Sequence, residues 1–100
     1  MRVFVLGHED AVLGFWLAGV EGEILADPAQ AVARLEELHR GGEVGLVVIT
    51  SDLARGMGRQ LEEFRSRYTL PIVLEIPAPG ETVRRPSARE LLRRAVGASL

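Results

Sequence analysis

Four short hydrophobic runs punctuate this chain, and longer mixed segments separate them. Val3 to Leu6 is the first run, and Glu23-Ile24-Leu25-Ala26 is a weaker second. Val44 to Thr50 is the clearest, with Leu46-Val47-Val48-Ile49 at its centre, and Leu70 to Ile76 is the fourth. A run that does not alternate with polar residues suits a parallel strand covered on both faces. Pro71 belongs at the start of the fourth strand and Pro77 at its end, because proline cannot donate to a ladder.

The segments between the runs carry helical spacing. Gly7 and His8 turn the chain out of the first strand, and Asp10 is the expected N-cap of a helix, its carboxylate accepting from amides of the first turn. That helix runs to about Ala18, where Gly19 supplies a left-handed exit. Asp27-Pro28 opens a second helix, an N-cap followed by proline at the first helical position. Val32, Leu35 and Leu38 recur along it, and Gly41-Gly42 end it. Thr50 or Ser51 caps a third helix whose buried stripe is Leu53, Met57, Leu61 and Phe64. Gly56 and Gly58 each weaken it by roughly 1 kcal/mol relative to alanine, which loosens its start. The alternation βαβαβαβ defines an α/β fold: a small parallel four-stranded sheet, order 2-1-3-4, with helices on both faces, like a shortened flavodoxin-type or receiver-type domain.

The grammar changes after Pro77. Pro77-Ala78-Pro79-Gly80-Glu81-Thr82 is rich in breakers. Ser87-Ala88-Arg89-Glu90 reads as a capping box, in which serine and glutamate satisfy each other's free amides. It opens a last helix to about Val96, with Leu91, Leu92, Ala95 and Val96 on a narrow apolar face and Arg85, Arg89 and Arg93 at steps of four. The organisation expected is a globular domain over 1–77, a linker over 78–86 and a C-terminal helical tail over 87–100.

One segment departs from ordinary patterning. From Ala11 to Val20 no residue is charged. A surface helix normally keeps a polar face, so this one should be buried on more than one side, either wholly within its own core or by its own sheet and a partner.

Composition narrows the chemistry. One hundred residues build one domain with a modest core. There is no cysteine, which excludes disulfides, thiolate metal sites and a cysteine nucleophile. All twelve cations are arginine, a bias of codon usage or of a thermophilic source. The absence of lysine excludes a P-loop lysine, a Schiff base and a lysine general base. The start is too short for a signal peptide. No apolar run approaches the ~20 residues that span a bilayer, so membrane work would need another subunit. Charge is uneven: residues 1–83 hold thirteen acids and seven arginines, a net of −6, while residues 84–100 carry a net of +4. A basic tail on an acidic domain suits self-association or an acidic partner.

Candidate active residues fail on spacing. Glu9-Asp10 after the first strand is similar to the acidic pair of a phospho-receiver, but the third strand ends Thr50-Ser51-Asp52, one aspartate too late, and the required lysine is missing. At a helix start these two acids instead favour the dipole, worth about 0.3–1 kcal/mol. Gly7, Gly14 and Gly19 match neither nucleotide-loop spacing. His8 and His39 stand far apart with no ligand spacing around them, and no Ser/His/Asp arrangement is suggested. The tail arginines have the charge that phosphate contacts need, but no aromatics interleave with them. They read as a solvated face on a helix whose other face meets a protein. No metal or cofactor is expected.

Taken in order, Gly7-His8-Glu9-Asp10, Gly14-Phe15-Trp16-Leu17-Ala18-Gly19-Val20, Val47-Val48-Ile49-Thr50 and Tyr68 through Pro77 resemble the F subunits of the A/V-type rotary ATPases. The motif positions are Gly7, Asp10, Gly14, Phe15, Leu17, Ala18, Gly19, Pro71 and Pro77. Trp16 falls at a variable position of that pattern, and the tail is variable too. The resemblance implies a non-catalytic subunit of the central rotor stalk. Its partner would be the coiled-coil shaft (the D subunit of such machines) and, through it, the catalytic head and the membrane ring. ATP chemistry would belong to other subunits, and the protein would be cytoplasmic and peripheral to the membrane. Family tails lie along the partner or swing away from it. Here the tail contacts would be Arg85, Arg89, Leu91, Leu92, Arg93, Ala95 and Val96, docking as a helix in a groove. Neither nucleic acid nor direct membrane insertion is implied. The rival expectation is a stand-alone regulatory or small-molecule-binding module, with a concave polar pocket at the rim formed by Gly7-His8-Glu9 and Thr50-Ser51-Asp52.

Overall fold

Side chains alternate across a strand, and in the first strand that alternation sends Phe4 and Leu6 into one apolar cluster and Val3 and Val5 into another. The computed structural model describes residues 2–78. Its strands are β1 (Arg2–Gly7), β2 (Glu21–Ile24), β3 (Val44–Thr50) and β4 (Ile72–Ile76). Between them run α1 (Glu9–Leu17), α2 (Pro28–Gly41), and the pair α3 (Ser51–Met57) and α4 (Arg59–Arg67). Every strand pair is parallel and the order is β2-β1-β3-β4, the expected topology.

The larger cluster lies under α2, α3 and α4. Leu35, Leu38, Leu53, Met57, Leu61 and Phe64 pack there on Phe4, Leu6, Val47, Ile49 and Val73. Burying one such side chain contributes about 1.5–3 kcal/mol. The smaller cluster lies under α1 alone, where Val12 and Phe15 meet Val3, Val5, Leu46, Val48 and Ile76.

Local chemistry sets the helix ends. Asp27 accepts from the Ala29 amide at 3.0 Å with Pro28 behind it, and α2 stops at Gly42 in the left-handed region. α1 differs from expectation. Its N-cap is His8, whose Nδ1 accepts from the Asp10 amide at 3.2 Å, while Glu9 and Asp10 occupy the first turn. The reason is tertiary: the His8 amide is held by the Thr50 hydroxyl at 3.2 Å, which fixes the point where β1 gives way to helix. After Ala18 the chain leaves through Gly19 at φ 90°.

Three boundaries shift from the sequence expectation. β2 occupies Glu21–Ile24 rather than 23–26, because β1 ends at Gly7 and the last pair is Gly7 with Ile24. Leu25 then bonds the Gly7 carbonyl and leaves the ladder. The expected third helix is two helices, broken at Gly58 with φ 53°, a conformation that glycine adopts without penalty. All four stripe residues stay buried across the break. β4 begins at Ile72 rather than Leu70. The Leu70–Pro71 peptide is cis, and the Leu70 carbonyl is bonded to His39 Nδ1 at 2.8 Å instead of joining the ladder. His39 stacks on Tyr68 with ring centroids 3.6 Å apart, and Tyr68 donates to Glu36 at 3.0 Å, so α2 clasps the approach to β4.

Candidate interaction surface

In open parallel sheets ligands sit at the carboxyl ends of the strands, where the strand order reverses. Here the order reverses between β1 and β3, and Thr50 sits beside Gly7 at that point. Thr50 is fully buried, and a Cβ on Gly7, whose φ is 135°, would overlap its hydroxyl. The hydroxyl accepts from the His8 amide and donates to Asp52, and this second bond holds the Asp52 carboxyl below the usual carboxylate range. Beside it Ser51 Oγ accepts from the amide of Ala78, itself buried. At this rim the Thr50 and Ser51 hydroxyls are engaged by main-chain amides of the described residues. Among the described residues, no three His, Asp or Glu side chains group as a metal site. No described helix is long and apolar enough to cross a membrane.

At the opposite end of the strands an open cleft of about 630 Å³ includes His39, Gly42, Val44, Tyr68 and Pro71 in its wall. Two of its side chains are engaged with neighbours. His39 holds the Leu70 carbonyl, and the Arg67 guanidinium lies 5.9 Å from the Tyr68 ring centre. The arrangement serves as a structural clasp between α2 and the approach to β4.

The unsatisfied surface lies on the α1 side of the sheet. α1 covers β1 and β2. Ile72 and Leu74 of β4 stand in register with Leu46 and Val48 on that same side, and they remain 52% and 51% exposed. On the opposite side Val73 is buried beside Leu61 and Phe64. α1 buries only Val12 fully; its outer side shows Leu13, Trp16 at 65% and Leu17 at 81% exposure. Leu13 with Trp16, and Leu13 with Leu17, are spaced as neighbours on one helix face. The uncharged part of α1 is therefore covered by its own sheet on one side only, among the described residues.

The motif positions scatter over this frame. Gly7 and Asp10 lie near the rim at Thr50, and Pro77 follows β4 on the same end. Gly19 and Pro71 lie toward the other end, before β2 and β4. Phe15 packs inward, and its carbonyl accepts from the Ala18 and Val20 amides at the helix exit. Gly14, Leu17 and Ala18 face outward. Gly14 does not serve close packing within the domain, since a Cβ there would meet nothing within 4 Å. Sequence reasoning misses Leu13, Trp16, Ile72 and Leu74 as surface residues; the signal that could find them is the uncharged block and the alternation Ile72-Val73-Leu74. Arg85, Arg89, Leu91, Leu92, Arg93, Ala95 and Val96 lie outside the described residues, as do the capping box and most of the linker.

The described residues form a parallel α/β domain with an outward apolar side on α1 and two half-exposed apolar residues on β4. The chain belongs to the family described as ATP synthase (F/14-kDa) subunit, whose profile matches residues 3–95. It is 36% identical to the F subunit of the A-type ATP synthase of Pyrococcus furiosus, over 100% of this chain and 98% of that protein. It is 35% identical to the corresponding F subunit of Thermococcus kodakarensis with the same coverage. Against that of Methanothermobacter thermautotrophicus it is 31% identical over 99% of this chain and 95% of that protein.

Proposed function

We propose that this chain is a non-catalytic subunit of the central stalk of an A/V-type ATP synthase, that it binds the coiled-coil shaft (the D subunit), and that it couples ATP turnover to ion transport. The observation that carries the reading is the outward apolar surface of Leu13, Trp16 and Leu17, in a chain of the ATP synthase F-subunit family. An apolar helix face is what another helix packs against. The tail supplies a second contact in this reading. Leu91, Leu92, Ala95 and Val96 enter a groove of the shaft, while Arg85, Arg89 and Arg93 pair with its acids. Attachment to the shaft would hold the protein on the cytoplasmic side, peripheral to the membrane.

The test is size-exclusion chromatography with light scattering on the full chain mixed with its cognate coiled-coil shaft protein. A stable one-to-one complex supports the reading, and no complex between well-folded partners refutes it. Leu92→Asp should weaken the complex by about tenfold or more, the scale of one lost apolar anchor, with an unchanged far-UV circular dichroism spectrum. Unchanged affinity would remove the tail from the interface.

A further inference from the structure

β4 is the outer strand of the sheet among the described residues. An outer strand carries main-chain donors and acceptors without a ladder partner, a template for another chain to pair with. The sequence of this edge invites such pairing. Ile72-Val73-Leu74 is uncharged and β-prone, and the side chains of Ile72 and Leu74 are half exposed.

Three features interrupt the row. Pro71 before the strand and Pro77 after it have no N–H to offer. Between them, Arg65 of α4 donates from Nη2 to the Val73 carbonyl at 2.8 Å. Val73 turns its side chain into the cluster that α4 covers, so the guanidinium passes from the helix to the middle of the strand. A charged donor makes a stronger bond to a carbonyl than a neutral amide does. The opposite edge is protected in another way. β2 is only four residues long, and a very short edge strand is a poor template.

We propose that Arg65 guards the β4 edge: by occupying the Val73 carbonyl it denies that edge to a second copy of this chain.

The experiment compares full-length wild type, Arg65→Met and Arg65→Met/Leu74→Lys by sedimentation velocity over a range of concentrations. Methionine keeps an unbranched stem and removes the donors. Arg65→Met should self-associate about tenfold or more tightly than wild type, the weight of one charge-assisted bond. The added Leu74→Lys should restore the monomer, because a lysine on the strand opposes edge pairing. Four results would overturn the proposal. They are a monomeric Arg65→Met, association that survives Leu74→Lys, a wild type already associated to the same degree, or loss of the folded far-UV spectrum in Arg65→Met.

Discussion

Replacing Gly14 by alanine should stabilise the free chain. Gly14 is the sixth of the nine residues of α1, and its φ is not positive. A Cβ there meets no atom within 4 Å, so the substitution adds neither a clash nor buried area. What remains is the backbone entropy that glycine loses in a helix, about 0.4–1 kcal/mol at a compatible site. Unfolding a domain of this size carries about 0.2 kcal/mol/K of entropy, so Tm should rise by roughly 2–5 °C. Gly22→Ala is the control of opposite sign. Its Cβ would overlap the Val5 carbonyl oxygen and crowd methyl groups of Val5 and Val12. The carbonyl belongs to a central strand and cannot swing aside, so a cost of about 1–3 kcal/mol is expected. Thermal and urea unfolding followed by far-UV circular dichroism measure both; Trp16, 65% exposed, is a poor fluorescent reporter of folding. A Gly14→Ala chain no more stable than wild type, or a Gly22→Ala chain more stable than it, would refute the reasoning. The pair also bears on assembly. If a partner helix packs closely at Gly14, the alanine chain is more stable alone and binds the shaft more weakly.

Two further expectations follow from the clasp and the rim. His39→Ala removes the stack on Tyr68 and the bond to the Leu70 carbonyl, so the urea midpoint should fall by an amount equivalent to about 1–2 kcal/mol at unchanged m-value. An unchanged midpoint would mean that the clasp contributes nothing. Thr50→Val removes the bond that depresses the Asp52 carboxyl. A depressed folded pKa contributes stability that is present above the unfolded value, near pH 4, and is lost as pH falls through the folded value. The stability gap between wild type and Thr50→Val should therefore narrow from pH 7 to about pH 3; a gap that stays constant would assign the effect wholly to the His8 amide bond.

The parts legible in the sequence are those that local pattern decides. β3 reads correctly to the residue because an unbroken apolar run with threonine at its end has few alternatives, and α2 reads correctly because Asp27-Pro28 and Gly42 are local signals. The misread boundaries depend on distant partners. Asp10 is a better N-cap than histidine by intrinsic preference, but Thr50, 42 residues from His8, holds the His8 amide and moves the cap. The start of β4 depends on His39, 31 residues before Leu70. In the broken helix, glycine content shows weakness but not its place, since only Gly58 adopts the left-handed turn and Gly56 stays helical.

The uncharged block shows a third kind of limit. Its pattern predicts a helix buried on more than one side, and the described structure buries one. Leu13, Trp16 and Leu17 make little of the domain's own core, so a polar residue at any of them would cost the isolated domain little. Three large apolar side chains on one outer face are therefore not accounted for by the packing of the described residues, and left uncovered such area favours aggregation. The same holds for Ile72 and Leu74, whereas Val73 between them is accounted for by α4. Residues that the fold does not require and solubility disfavours point to a covering surface as their physical reason, which is the role that the proposed shaft contact gives to the outer side of α1.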